Sequence, residues 1–239
     1  MKLSKLVFLC VKNVLYLNDS SFNYMSFLRQ DFDADPDYDT NINNVFTPLN
    51  EAIARLSDLE RIPYKLEQVK FESNSKTIDL KNLTQVSEDK VAIKVKEVCG
   101  VGQFLNGRPF LLAYKQIGDK VIVIDDLADR SQPVYIEYKE DIPYFDRDNI
   151  PAKDPDTQDV RVDTSGNPTP DVDLKEEYGL NDSMCNFVIE YVKGKLEEPI
   201  APDIANMHLT RAEAYFSNIR TVRPVFVQRV VRNYYKIGE

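Results

Sequence analysis

The chain is 239 residues long, with 30 Lys and Arg against 39 Asp and Glu and a single His, a formal charge of −9 at pH 7. Its 43% hydrophobic and 29% charged content belongs to a folded chain of one elaborated domain or two small ones, not to a disordered one. The acidic balance excludes a protein that coats nucleic acid over its whole surface, because phosphates are held by a surplus of Lys and Arg.

Other counts remove further classes. None of the eight glycines forms a G-x-G-x-x-G or G-x-x-x-x-G-K-[ST] run, so the backbone cradles for dinucleotides and nucleoside triphosphates are missing. With His208 alone, neither an H-E-x-x-H helix nor a Ser-His-Asp triad with a choice of partners can be built. Cys10, Cys99 and Cys185 are odd in number, far apart and in apolar surroundings, which reads as free buried thiols. No cofactor is expected. Met1–Lys5 and the apolar run up to Cys10 superficially resemble a leader, but the run is short, lacks a small-residue cleavage site and meets Lys12. No stretch approaches the ~18 apolar residues of a membrane span.

In chain order, Leu3, Leu6, Val7, Cys10, Val11, Val14 and Leu15 predict an amphipathic helix ending near Asn18-Asp19-Ser20. An acidic loop follows to Asp39. A second helix is expected from Thr40 or Asn41, with Ile42, Val45, Phe46, Leu49, Ile53 and Leu56 on one face, Pro48 as a kink and a stop before Pro63. Residues 77–80, 91–98, 110–114, 121–124 and 134–138 are five β-rich runs separated by turn signals such as Gly118-Asp119, predicting a small antiparallel sheet or sandwich. Residues 144–179, with Pro151, Pro155, Pro168 and Pro170, read as an extended loop or partner-wrapping arm. A third helix after the cap cluster Asn181-Asp182-Ser183 presents Met184, Phe187, Val188, Tyr191, Val192 and Leu196. A fourth from Pro202-Asp203 presents Ile204, His208, Ala212, Tyr215 and Ile219, ending before Pro224.

The fold class is therefore α+β: a helical bundle from N- and C-terminal helix pairs, with an inserted antiparallel β module, a long loop and a C-terminal extension. The boundaries are 1–62 and 181–222 for the helix pairs, 63–143 for the β module, 144–180 for the arm and 223–239 for a basic tail.

Candidate sites are sparse. The aspartates between Asp31 and Asp39 fail the calcium-loop template, because the required Gly and bidentate Glu fall on Pro36 and Ile42 from Asp31, or on Tyr38 and Asn44 from Asp33. They read as a solvated loop or one that meets a basic partner. Asp125-Asp126 reads as a polar turn; as a metal-binding pair it would be the core of the alternative function, a carboxylate- or metal-dependent cytoplasmic hydrolase. Glu137, Glu140 and Asp141 have the same standing. His208 lies on a buried stripe and reads as structural. Among the thiols only Cys99, near Lys94 and Lys96, has basic neighbours to lower its pKa. From Met207 to Glu239 there are six basic residues against two acidic ones, a net of +4 that leaves −13 for the rest. Arg223, Arg229, Arg232 and Lys236, with Tyr234 and Tyr235 among them, form the candidate partner-binding set. Its forked guanidinium groups suit phosphates or an acidic protein surface, and the acidic remainder of the chain favours protein.

Four segments carry a family resemblance: Pro48-Leu49-Asn50-Glu51-Ala52-Ile53, Tyr138-Lys139-Glu140-Asp141-Ile142-Pro143, Tyr191-Val192-Lys193-Gly194-Lys195-Leu196, and His208 to Phe216 with Ala212-Glu213-Ala214-Tyr215. They resemble the N-x-A turn, Y-x-x-D-x-P exit, Y-x-x-A-K-L helix and A-x-x-Y last helix of the head-to-tail adaptor (connector) proteins of tailed bacteriophages, especially short-tailed ones. Gly194 stands where the pattern has Ala. The resemblance implies a non-catalytic virion protein made in the host cytoplasm. It would form a ring, commonly twelvefold, between the portal protein and the next tail or neck ring. Packaged DNA would pass through its channel without sequence-specific binding, and no membrane would be involved.

Overall fold

A computed structural model describes residues 1–12, 14, 22–24, 27, 38–71, 75–83, 95–124, 131–150 and 171–226. Helix and antiparallel sheet are both present, and contacts divide the chain into two units: residues 1–62 with 142–221, and residues 63–141 with 222–239.

The first unit is helical. Helix α1 (Leu3–Val11) buries Leu3, Leu6, Val7, Phe8, Cys10 and Val11. It ends at Val11 rather than near Asn18, and residues 15–21 lie outside the described set. No side chain caps its start; the chain is pinned there instead. Leu3 N–H donates to Val172 O at 2.9 Å and Leu174 N–H to Met1 O at 3.0 Å. The buried Ser4 hydroxyl donates to Asp171 at 2.7 Å and lies 2.6 Å from the Tyr24 hydroxyl. Helix α2 (Tyr38–Asp58) starts slightly earlier than expected and runs through Pro48, burying Ile42, Val45, Phe46, Leu49, Ala52, Ile53 and Leu56. A Schellman turn closes it: Glu60 takes φ 55°, its N–H donates to Ser57 O, and Arg61 N–H reaches back to Leu56 O at 2.9 Å.

The segment expected as an extended arm is anchored in this helical core at both ends. Phe145 and Ile150 are buried on one side, Leu174 and Leu180 on the other, while residues 151–170 lie outside the described set. Between the last two sits the short helix α3 (Leu174–Tyr178), whose N-cap Asp173 accepts from the N–H groups of Lys175 and Glu176. These apolar anchors stand singly, so no periodicity announces them. The buried Asn50 amide pairs with the backbone of Phe145 in both directions, donating to its carbonyl at 2.8 Å and accepting from its N–H at 2.9 Å.

Helix α4 (Asp182–Glu197), capped by Asn181, and helix α5 (Pro202–Asn218) pack closely. Gly194 makes this possible, since a Cβ there would come 2.6 Å from Leu209 Cγ. The inner face of α5 is Ala205, Ala212 and Phe216, followed by Ile219. Ile204 and Tyr215, expected inside, are 45% and 39% exposed. The close approach at Gly194 selects small Ala205 for the interface and turns its larger neighbour outward.

The second unit holds two antiparallel sheets, built from β1 (Lys65–Val69), β2 (Thr77–Asp79), β3 (Val95–Leu105), β4 (Arg108–Leu111), β5 (Tyr114–Ile117), β6 (Lys120–Val123) and β7 (Val134–Glu140). The strand orders are β1-β7-β3-β4 and β2-β6-β5. The run 110–114 is divided between β4 and β5, and β1 was not among the expected runs; it is an edge strand whose sequence, Lys-Leu-Glu-Gln-Val, carries little apolar signal. The expected start of β3 at residues 91–94 lies outside the described set, and the strand continues to Leu105. Asn106-Gly107, with φ 52° and 75°, forms the two-residue β3–β4 hairpin, and Gly118-Asp119 joins β5 to β6 as expected. Ile78, Val98, Val101, Leu112, Val121, Val123, Val134, Ile136 and Tyr138 make the core of this unit.

Candidate functional site

Strand β7 alternates Val134, Ile136 and Tyr138 toward the core, which sends Tyr135, Glu137 and Lys139 to the opposite face. That face would ordinarily be wet, yet Glu137 is only 3% exposed. Across the ladder it pairs with Gly100, and Tyr135 pairs with Gly102. The two glycines remove the side chains that would cover this part of β3 and leave a notch beside the carboxylate.

The segment Val225-Phe226, 83 residues downstream of the exit at Ile142 by sequence number, fills the notch within the same unit. Glu137 accepts hydrogen bonds from the backbone N–H groups of both residues, each at 2.7 Å. The Phe226 side chain, 1% exposed, lies over the glycines and meets the Phe104 ring at a centroid distance of 5.4 Å; Phe104 in turn packs edge-on against Tyr135. A Cβ on Gly100 would come 2.5 Å from the Phe226 Cβ, and one on Gly102 would invade the Phe226 ring. Two consecutive N–H donors on one buried carboxylate form a charge-assisted clamp, stronger than a neutral pair. The aromatic ring supplies the apolar half of the recognition. Binding and positioning, not bond making, is the chemistry this arrangement supports.

Of the six residues expected to bind a partner, Arg223 is exposed two residues before the clamp, while Arg229, Arg232, Tyr234, Tyr235 and Lys236 lie outside the described residues. Asp125-Asp126 and Asp31–Asp37 also lie outside them. Glu137, read from the sequence only as a carboxylate of the same standing as Asp125-Asp126, is here the acceptor of the clamp, and Gly100, Gly102 and Phe226 were not among the expected site residues. The signal for them was Gly100-x-Gly102 inside a strand, since glycines two apart on one face mark a close backbone approach.

The other candidates have structural partners. His208 Nδ1 is 2.8 Å from the Glu190 carboxylate, and its Nε2 is 3.8 Å from Glu197. Cys10 and Cys185 are buried, whereas Cys99 is only half-buried. Its thiol is not activated by neighbouring lysines: burial, followed by the Glu97 charge, pushes its pKa up to about 12, and burial raises Cys185 to about 11. Arg55 grips Glu213 through both guanidinium nitrogens while lying over the Phe216 ring. On the outer side of α5, Ile204, Met207 and Tyr215 are exposed at helical spacing beside a shallow depression lined by Asp203, Asn206, Thr210 and Arg211. Among the described residues, no group of three or more His, Cys, Asp and Glu side chains is placed to hold a metal ion, and no helix is long and apolar enough to cross a membrane. No protein-family model matches the chain, and no curated protein matches its sequence.

Proposed function

We propose that the chain is a structural virion protein, a head-to-tail adaptor that assembles into a ring between the capsid portal and the tail and continues the DNA channel. The observation that carries this reading is the order of segments. One helical unit is made from two stretches, 1–62 and 142–221, and the β unit takes the residues between them, 63–141, together with the C-terminal segment 222–239. In this reading the two helix pairs form the shared bundle of the ring, and the β module and flanking arms meet the neighbouring proteins. Two further features fit. Ile204, Met207 and Tyr215 leave an apolar stripe for lateral contact with a second copy. The −13 body would let DNA slide rather than bind it.

Light scattering combined with a divalent-metal titration tests this reading. Assembly to ring mass without metal dependence is the expected result. A chain that stays monomeric alone and with portal rings, or a metal-linked rise in melting temperature pointing to the hydrolase alternative, would overturn it.

A further inference from the structure

The socket for Phe226 is built from a distant part of the chain, and its specificity resides in chemistry that any copy of the same segment would satisfy. Its parts are two consecutive backbone N–H donors for the Glu137 carboxylate and one phenyl ring for the floor left bare by Gly100 and Gly102. We propose that this socket is an exchange site, which takes the Val225-Phe226 arm of a second copy of the chain in place of its own.

Three observations support the exchange. The arm reaches the socket through Arg220–Pro224, a stretch with neither helix nor strand in which Arg220, Thr221 and Arg223 are exposed; only this linker has to change path for the arm to leave one copy and enter another. Pro224 fixes φ immediately before the clamp, so the docked end keeps its shape while the linker turns. The contact itself is small, one side chain and two donors, and an identical segment replaces it without any new complementarity. This is the situation in which an element exchanges between protomers at low cost. Within one chain the short linker favours the closed form by its high effective concentration; raising the local concentration of copies, as any assembly does, shifts the balance toward exchange. The proposal is independent of the ring reading, since arms can exchange in a simple dimer and a ring can close through other faces.

Complementation between two full-length variants isolates the exchange. Gly100→Ala plugs the socket and keeps the arm; Phe226→Ala keeps the socket and blunts the arm. An isotope-labelled Gly100→Ala chain is mixed with unlabelled Phe226→Ala chain, and amide hydrogen exchange is followed at Val225 and Phe226 of the labelled chain alone. These amides should exchange freely in the labelled chain by itself and slow about tenfold with excess partner. A partner carrying both substitutions should produce no slowing. Slowing by the Phe226→Ala partner is likewise expected when a labelled Glu137→Gln chain is the arm donor, because the side-chain amide of its own socket turns a donor toward the arm's N–H groups and releases the arm. Amides that stay unprotected at every ratio, or that are protected equally by the doubly substituted partner, would overturn the exchange. Protection of the sheet amides in each variant serves as the folding control. Ring density lost with exchange intact would count against the adaptor reading alone.

Discussion

Gly100→Ala tests the socket through the sign of its effect. In an open strand, replacing Gly by Ala stabilises by about 0.5–1 kcal/mol, because the unfolded chain loses freedom. Here the new methyl group would meet the backbone and Cβ of Phe226, so the arm must leave. Burying a phenylalanine contributes ~3 kcal/mol, and two hydrogen bonds to a carboxylate contribute about 3 kcal/mol together. Ordering the five residues Val222–Phe226, of which Arg223 and Val225 stay exposed, costs about 0.8–1 kcal/mol per residue, or about 4–5 kcal/mol in all. The net docking energy is therefore about 1–2 kcal/mol in favour of the docked arm. Phe226→Ala should then fall short of the ~3–5 kcal/mol of a core phenylalanine deletion, because release of the arm caps the loss. Phe226→Ala should destabilise by about 1–2 kcal/mol in urea unfolding, Gly100→Ala by about 0.5–1 kcal/mol less because the strand gain offsets part of the loss, and the double variant by no more than Phe226→Ala alone. Fully additive losses, or a Gly100→Ala chain more stable than the parent, would mean that Phe226 is not held over Gly100.

Three other outcomes are expected. Asn50→Ala leaves the buried N–H and C=O of Phe145 unpaired and should cost about 2–5 kcal/mol, read from urea denaturation. Asp173 caps α3, and the backbone N–H bonds from Glu176 and Lys175, together with the chain's N-terminal ammonium, hold its carboxyl below the usual range. Its folded pKa is depressed, so its contribution is fully present at neutral pH and is lost as pH falls through that lowered value. Asp173→Ala should cost about 1 kcal/mol at pH 7, and the melting-temperature gap from the parent should close as the pH drops below the ordinary aspartate pKa. Ile204→Glu with Met207→Glu places charges on the exposed stripe of α5; the variant should keep its melting temperature within a few degrees but lose assembly by light scattering.

The helical faces were legible because a 3.6-residue period repeats over about two and a half turns in Leu3–Val11 and over four or more in Tyr38–Asp58 and Asp182–Glu197. Where burial depends on one neighbour, pattern fails. The stripe assigned to α5 included bulky Ile204 and Tyr215, whereas contact across Gly194 requires Ala205. Strand β1 escaped notice because an edge strand needs no apolar alternation. Phe145 and Leu174 are isolated anchors in a proline-rich stretch. The socket was the hardest feature to see. Glu137 occupies the ordinary outward position of an alternating strand, and only a segment nearly ninety residues later turns that position inward. His208 does turn toward α4, where its ring lies 2.8 Å from the Glu190 carboxylate, although Ile204 and Tyr215 of the same expected stripe do not.

Electron microscopy of the purified chain mixed with rings of its candidate portal protein would show whether the chain docks on the portal as a ring. An added ring of density on one face of the portal, coaxial with its channel, is expected. Portal rings unchanged at saturating amounts of the chain would contradict that docking.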